Sequence, residues 1–499
     1  MDAYTQIILV YLCFVVFLIC IVLFFEKHRS KFYCILSAIA VVAIIFSIST
    51  FTRMQLVPFN ADTNRKDFLL AGDEPAYFMT AVSIAQDGDF NIANNASNKD
   101  YLLFERRPYS GSDFSFYNTL SNGRLESKQD KWGDARYMRH RPGTSILIAP
   151  AFLLADHNQR FWSYTIISLL FSMFCGLFIC YSYMIHNSSL PGLLVVVLVC
   201  GLSPPVYFYL NQAYPEIPAG ILLSIIALLF LSPVKYNLLP FCLAAIVIWF
   251  TDRVILATLI VSLGGFINLP SRKLKFYAFC ILGFSGFMFA CYCWHRFGVP
   301  YPVSHNMVMG FSYDKIPVRL LQIIFDARYG WVWQFPVVLL LPAMIWQVLN
   351  TRRDFILHCS LILSLIALLC LVAAFDDWPG GTCPRGRYFV IPQLLVMVLG
   401  ICWLKGSNEV KSKFFWLIAL GGLGLVQIPW LSLNPKWWYA QFQPFFVWKD
   451  IHFTIFYLPF LPDDAKASEW IKLLKMLPLL ALPSLSCLYF ELREKFAGS

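Results

Sequence analysis

The run FILHCSLILSLIALLCLVAA, residues 355–374, contains no Asp, Glu, Lys or Arg. A helix needs about 20 apolar residues to cross the hydrocarbon core of a bilayer, and this stretch supplies them in one piece. Runs of the same character lie on either side of it at 331–349 and 389–404. Towards the N-terminus they recur at 7–25, 33–51, 161–184, 191–208, 216–232, 238–251, 254–269 and 276–293, and towards the C-terminus at 414–432 and 473–490. The reading is an all-α polytopic membrane protein with about 13 transmembrane helices. No strand-rich soluble domain and no short-period repeat is evident.

Composition agrees. The 499 residues are 58% hydrophobic, 17% aromatic and only 14% charged, which excludes a soluble enzyme or a soluble nucleic-acid binder. The net charge of +10 comes from Lys and Arg scattered among short loops, as cationic inner loops and phosphate-bearing substrates would require. The first span is not expected to be a cleaved signal peptide, because no basic region precedes it. Of the 15 cysteines, nearly all fall inside apolar runs (Cys13, Cys20, Cys175, Cys200 and Cys370 among them), where Cys behaves as a small hydrophobe. Only Cys383 falls in an expected outer loop, and no spacing suggests zinc or redox work.

Orientation follows from the short basic loops: residues 27–31, Arg272-Lys273-Leu274-Lys275, Arg352-Arg353 and 405–413 must share one side, the cytoplasm. The N-terminus is then outside, and a loop of roughly 90 residues, 52–142, faces outwards. The chain divides into two N-terminal spans (1–51), an outer loop with interfacial helices (52–160), a transmembrane core with motif loops on the outer face (161–404), and C-terminal spans with an aromatic outer loop (405–499). The apolar piece 144–155 is too short to span and is expected to lie at the interface. Asn95-Ala96-Ser97 matches a glycosylation sequon, a pattern common by chance.

The outer loop contains Gly72-Asp73-Glu74-Pro75-Ala76-Tyr77. Pro75 suits a first helical turn, Tyr77, Ala81 and Ile84 recur at helical spacing, and Gly88 ends the pattern. Asp73 or Glu74 therefore falls at the N-cap, facing the positive end of the helix dipole. Other charges gather near span ends on the same face: Glu216, Asp252, Arg253, Asp326, Arg328, Asp376, Asp377, Arg385 and Arg387. Charge at membrane depth costs a few kcal/mol per residue. Mutual pairing or snorkelling would explain any one of them, but the set on one side implies a wet cavity.

Arg385, Arg387, Arg141 and Arg328, with Arg253, offer forked donors suited to phosphate oxygens. Asp73 and Glu74 offer a base, or ligands for a divalent cation such as Mg or Mn. His140, Tyr77, Tyr214, Glu216, Asp252, Arg253, Asp326, Asp376 and Asp377 complete the expected substrate pocket. Such a constellation beside a bilayer suits transfer from a lipid-phosphate donor. The carboxylate takes a proton from the acceptor hydroxyl, and the arginines offset charge growing on the departing phosphate.

The acidic stretch resembles the signature of GT-C glycosyltransferases, integral-membrane enzymes that use polyprenyl-phosphate sugars and include protein O-mannosyltransferases and the lipid A aminoarabinose transferase. Tyr214-Pro215-Glu216-Ile217-Pro218, Asp326-Ala327-Arg328-Tyr329-Gly330 and Pro384-Arg385-Gly386-Arg387-Tyr388 look like stretches of a bacterial branch. The resemblance covers about residues 70–405. It implies an essential acid at Asp73 and an inverting transfer at the outer face. It departs from the commonest layout in having an extra span ahead of the acidic loop and in lacking a large soluble C-terminal domain.

The expected function is transfer of a sugar from a polyprenyl-phosphate donor to a hydroxyl on an envelope glycan or lipid acceptor, at a bacterial inner membrane with the site facing the periplasm. A transporter or flippase of a lipid-linked or anionic substrate is the alternative, since intramembrane charges also mark transport pathways. A non-catalytic protein holding a lipid-linked glycan is a third.

Overall fold

The computed structural model describes residues 31–56, 73–104, 140–155, 158–186, 188–232, 238–297, 311–326, 330–351, 354–375, 386–405, 410–425 and 467–497. Among these residues the chain is helical, with a single isolated bridge pairing Phe311 and Phe375. In chain order the helices are α1 (Lys31–Leu56), α2 (Glu74–Gln86), α3 (Ala93–Ser97), α4 (Pro142–Ile148), α5 (Pro150–Leu154), α6 (Gln159–His186), α7 (Leu190–Leu202), α8 (Val206–Tyr209) and α9 (Glu216–Phe230). They continue with α10 (Leu239–Val247), α11 (Ile255–Ile267), α12 (Arg272–Phe297), α13 (Ile316–Phe325), α14 (Trp331–Gln334), α15 (Leu341–Asn350), α16 (Phe355–Ala374), α17 (Val390–Lys405), α18 (Val410–Leu425) and α19 (Ala467–Ala497).

Six of these, within Lys31–Arg53, Gln159–Ile185, Arg272–His295, Phe355–Ala374, Arg387–Lys405 and Leu473–Phe490, are long and apolar enough to cross a membrane. The protein is thus an all-α integral membrane protein. The other apolar helices are shorter than the sequence pattern suggests, for identifiable reasons. The run 191–208 stops at Leu202, before Ser203-Pro204-Pro205. The run 331–349 is cut at Pro336 and Pro342 into α14, a 3-10 turn at Pro336–Leu340, and α15, since proline removes the N–H that would continue the ladder. The expected span 7–25 and the aromatic stretch after Trp437 lie outside the described residues.

α9 and α17 form the centre, with α7 packed on α17 and α6 alongside. α17 is buried almost throughout, from Val390 to Leu404. α11 and α16 approach closely at Gly264, where an added Cβ would sit 2.2 Å from Ser360 Oγ. Absence of a side chain at Gly264 is what allows that contact.

α1 pairs with α6 through a buried guanidinium. Arg53 donates to the hydroxyls of Thr165 and Ser168 and, at 3.3 Å, to Ser49, and its guanidinium lies 5.2 Å from the Phe161 ring. No carboxylate is bonded to it among the described residues. Ser49 and Thr52, on the same end of α1, bond Asn211 (3.0 Å) and Tyr207, so this end of α1 is fastened to the segment after α7.

That segment, 203–215, runs from the expected span 191–208 to the expected span 216–232, and every residue in it is buried. Part of its backbone is met by side chains from other helices. Gln393 Nε2 on α17 donates to the carbonyls of Cys200 and Ser203, at 2.7 and 3.1 Å, and Glu74 on α2 accepts the Ala213 N–H.

The outer-loop helix α2 is likewise buried from Glu74 to Ser83, and it packs on α4 and α5. It ends as its sequence implies: Gly88, at φ +73°, lets its own N–H reach Ser83 O at 3.1 Å. Asn95 is also buried, its amide shared between Asp87 (2.8 Å) and Asp100 (2.9 Å), so the sequon is a structural clip. The apolar piece 144–155 forms α4 and α5 as expected. Ile146, Leu153 and Leu154 face outwards, as in a helix lying at an interface.

Candidate active site

Asp73 occupies the N-cap position of α2 with Pro75 in the first turn, but neither it nor Glu74 caps the helix with its side chain. Each carboxylate is used elsewhere. Asp73 Oδ2 accepts from Arg387 Nη1 at 2.8 Å, and Asp73 Oδ1 lies 3.6 Å from His140 Nε2. Glu74 Oε1 accepts the backbone N–H of Ala213 at 2.9 Å, which anchors α2 to the buried 203–215 segment. Tyr214 tightens the same junction, its hydroxyl accepting from the Asp73 N–H at 3.3 Å.

Arg387 is the hub. It opens the 3-10 turn Arg387–Phe389 directly after Gly386, whose φ of +76° turns the chain into α17. A Cβ at Gly386 would fall 2.2 Å from Gln334 Oε1, so both the dihedral and the space require glycine there. While Nη1 holds Asp73, Nε donates to Glu216 Oε1 at 2.7 Å, and the guanidinium lies 4.3 Å from the Tyr214 ring centroid. Glu216 Oε1 also accepts from Arg253 Nη1 at 3.1 Å, and Arg253 Nη2 donates to the Tyr388 hydroxyl at 3.2 Å. The result is an alternating chain of Asp73, Arg387, Glu216 and Arg253, drawn from residues up to 314 positions apart.

Exposure separates the roles. Glu216 has 1% of its side chain accessible, Asp73 21% and His140 13%. Glu216 is a buried counter-charge, whereas Asp73 is the carboxylate an incoming molecule can reach. Tyr77 packs 5.1 Å from the His140 ring and 6.2 Å from Tyr214. Burial pushes its phenol well above the ordinary range, against a downward pull from Arg387, so it stays neutral.

Arg141, an expected phosphate donor, stands outside this chain of pairs among the described contacts. Its Nη2 is 3.9 Å from Asp252, Nη1 lies 3.8 Å from Cys293 Sγ, and its cation sits 4.6 Å from the Phe289 ring. Arg141 begins α4 as its N-cap, which directs its side chain to α12 while His140 turns to Asp73. Of the two expected cation ligands, Asp73 is bonded to Arg387 and Glu74 to the Ala213 amide. No group of three His, Cys, Asp or Glu suited to a metal occurs among the described residues.

Asp326 is buried just beyond α13, where its carbonyl accepts the Gly330 N–H at 2.8 Å. Arg385, Arg328, Asp376 and Asp377 lie outside the described residues. Sequence reasoning passed over Ala213, whose backbone N–H carries no sequence signal, and Tyr388, which stands next to Arg387 and was visible only as part of its motif. No family model matches the chain, and no curated protein matches it either.

Proposed function

We propose that the protein is a glycosyltransferase that moves a sugar from a polyprenyl-phosphate donor to a hydroxyl on an envelope glycan or lipid, at the periplasmic face of a bacterial inner membrane. The observation that carries this reading is the Asp73–Arg387–Glu216 chain. It sets a reachable carboxylate and buried guanidinium groups side by side, with Arg387 at the start of a segment long and apolar enough to cross a membrane.

The pairing suggests how the charges would work. Asp73, Glu216, Arg253 and Arg387 balance formally, two against two. In the proposed step the acceptor O–H bond breaks and its proton passes to Asp73. The acceptor oxygen attacks the anomeric carbon as the bond from that carbon to the phosphate oxygen breaks, its electron pair leaving with the phosphate. Protonated Asp73 no longer neutralises Arg387. A cation is therefore released at the moment the departing lipid phosphate gains negative charge, the timing that favours the transition state over the ground state. Glu216, buried and held by two arginines, keeps Arg387 in place throughout. His140 stands beside the carboxylate that gains the proton.

The test incubates the purified protein with a panel of polyprenyl-phosphate sugars and glycan or lipid acceptors. Release of free lipid phosphate that depends on acceptor is the expected result. Movement of a lipid-linked substrate across vesicles with no lipid phosphate released would replace this reading with that of a flippase.

A further inference from the structure

α13 is an amphipathic helix turned inside out. Val318 and Leu321 are exposed, while Arg319, Gln322 and the following Asp326 are buried, at 1%, 0% and 1%. Spacings of three and four place these polar residues on one face. In a membrane the arrangement leaves apolar side chains where lipid can meet them and turns Arg319 and Gln322, beside Ile323, towards the rest of the bundle.

Arg319 has a structural explanation. Its Nη1 donates to the carbonyls of Phe375 (2.9 Å) and Ala373 (3.3 Å), the free acceptors at the end of α16. Gln322 has none: it is wholly buried, and neither Nε2 nor Oε1 has a hydrogen-bond partner among the described residues. On α14, against which α13 packs, Trp331 is equally buried with Nε1 unpartnered. Buried groups of this kind are costly. Several other buried hydroxyls and single amide atoms also lack partners, but Gln322 has both of its side-chain polar atoms in that state.

The place adjoins the candidate site. Phe375, bonded to Arg319 through its carbonyl, has its ring 5.7 Å from the Arg253 guanidinium and 6.2 Å from the Tyr388 ring. Trp331 stacks 5.7 Å from Phe389, two residues past Arg387.

We infer that Gln322 recognises the sugar of the donor through its hydroxyl groups. An amide side chain offers one donor face and one acceptor face. A phosphate would leave Oε1 unpaired and an ammonium would leave Nε2 unpaired, whereas neighbouring hydroxyls, each able to donate and accept, satisfy both. The inference rests on the sugar-transfer reading and adds to it which side chain reads the neutral part of the donor.

The experiment compares the wild-type protein with Gln322→Met, following the thermal midpoint in detergent as lipid is titrated. The probes are bare polyprenyl phosphate and the same lipid phosphate bearing mannose or glucose. Met removes both unmade hydrogen bonds at similar volume, so the variant alone should melt no lower than the wild type. Bare polyprenyl phosphate should stabilise both proteins alike. The lipid bearing the preferred sugar should bind the variant at least about tenfold more weakly. Equal affinity of both proteins for the sugar-bearing lipids overturns the inference and leaves the transfer reading standing. Failure of every lipid to stabilise the wild type overturns both. Should the variant not purify, lipids bearing deoxy-sugars are titrated into the wild type. One missing hydroxyl is expected to cost about tenfold, and an unchanged affinity across the series refutes the role.

Discussion

Asp73→Asn should lower the rate of lipid-phosphate release by about 10²–10⁴-fold while leaving donor affinity within a few-fold of wild type. The substitution is nearly isosteric, and an amide oxygen still accepts from Arg387 Nη1, so the 2.8 Å contact need not be lost. What disappears is the ability to take a proton, and with it the release of Arg387 that proton transfer would bring about. A loss in turnover with binding intact is the signature of an interaction made in the transition state alone. Single-turnover release measured beside equilibrium donor binding separates the two. Undiminished release in the Asn variant would remove Asp73 from the chemistry. Loss of binding in proportion to rate would make Asp73 part of the donor pocket only.

The second large effect is on stability. Arg387→Met should destabilise the protein by about 3–5 kcal/mol, because it removes one partner from a buried charge group. Glu216, with 1% of its side chain exposed, would keep Arg253 among the described residues, and Asp73 would lose its 2.8 Å bond to Arg387. Arg387→Lys should rescue little, since one ammonium cannot reproduce donors that reach Glu216 through Nε and Asp73 through Nη1. Pairing Arg387→Met with Glu216→Gln should recover part of the loss, because the stranded carboxylate is then gone. Unfolding titrations of the four proteins measure this. If Arg387→Met unfolds with the wild type, the ion chain contributes nothing to the fold and the account of Glu216 as a buried counter-charge fails.

The site was more legible in the sequence than the bundle around it. Asp73, Glu216, Arg253 and Arg387 stand out because charge inside an apolar chain is rare, and the loops that share their face can be found by counting spans. That logic says which residues could meet, not which do. Arg141 is an arginine on the same expected face as Arg387, yet packs against Phe289 and Asp252, a difference set by where α4 begins. The burial of segment 203–215 could not be read from its own residues, because the partners that hold it, here Ser49, Thr52 and Gln393, lie far away in the chain. Helix lengths were misjudged at Pro204 and Pro336, where hydropathy continues but the hydrogen-bond ladder does not. Gln322 and Arg53 escaped notice for lack of any motif around them.

Arg53 has a consequence for biosynthesis. Its hydroxyl partners on α6 lie 112 and 115 residues further along the chain, so α1 leaves the ribosome with only Ser49, among the three hydroxyls that Arg53 bonds, already synthesised. Retention of α1 in the bilayer would then wait for the arrival of α6. Nascent chains halted near residue 130 should leave α1 extractable by alkaline carbonate, whereas chains halted after residue 190 should hold it firmly. Arg53→Leu should abolish the difference, and equal retention of both wild-type lengths would show that α1 needs no such partner.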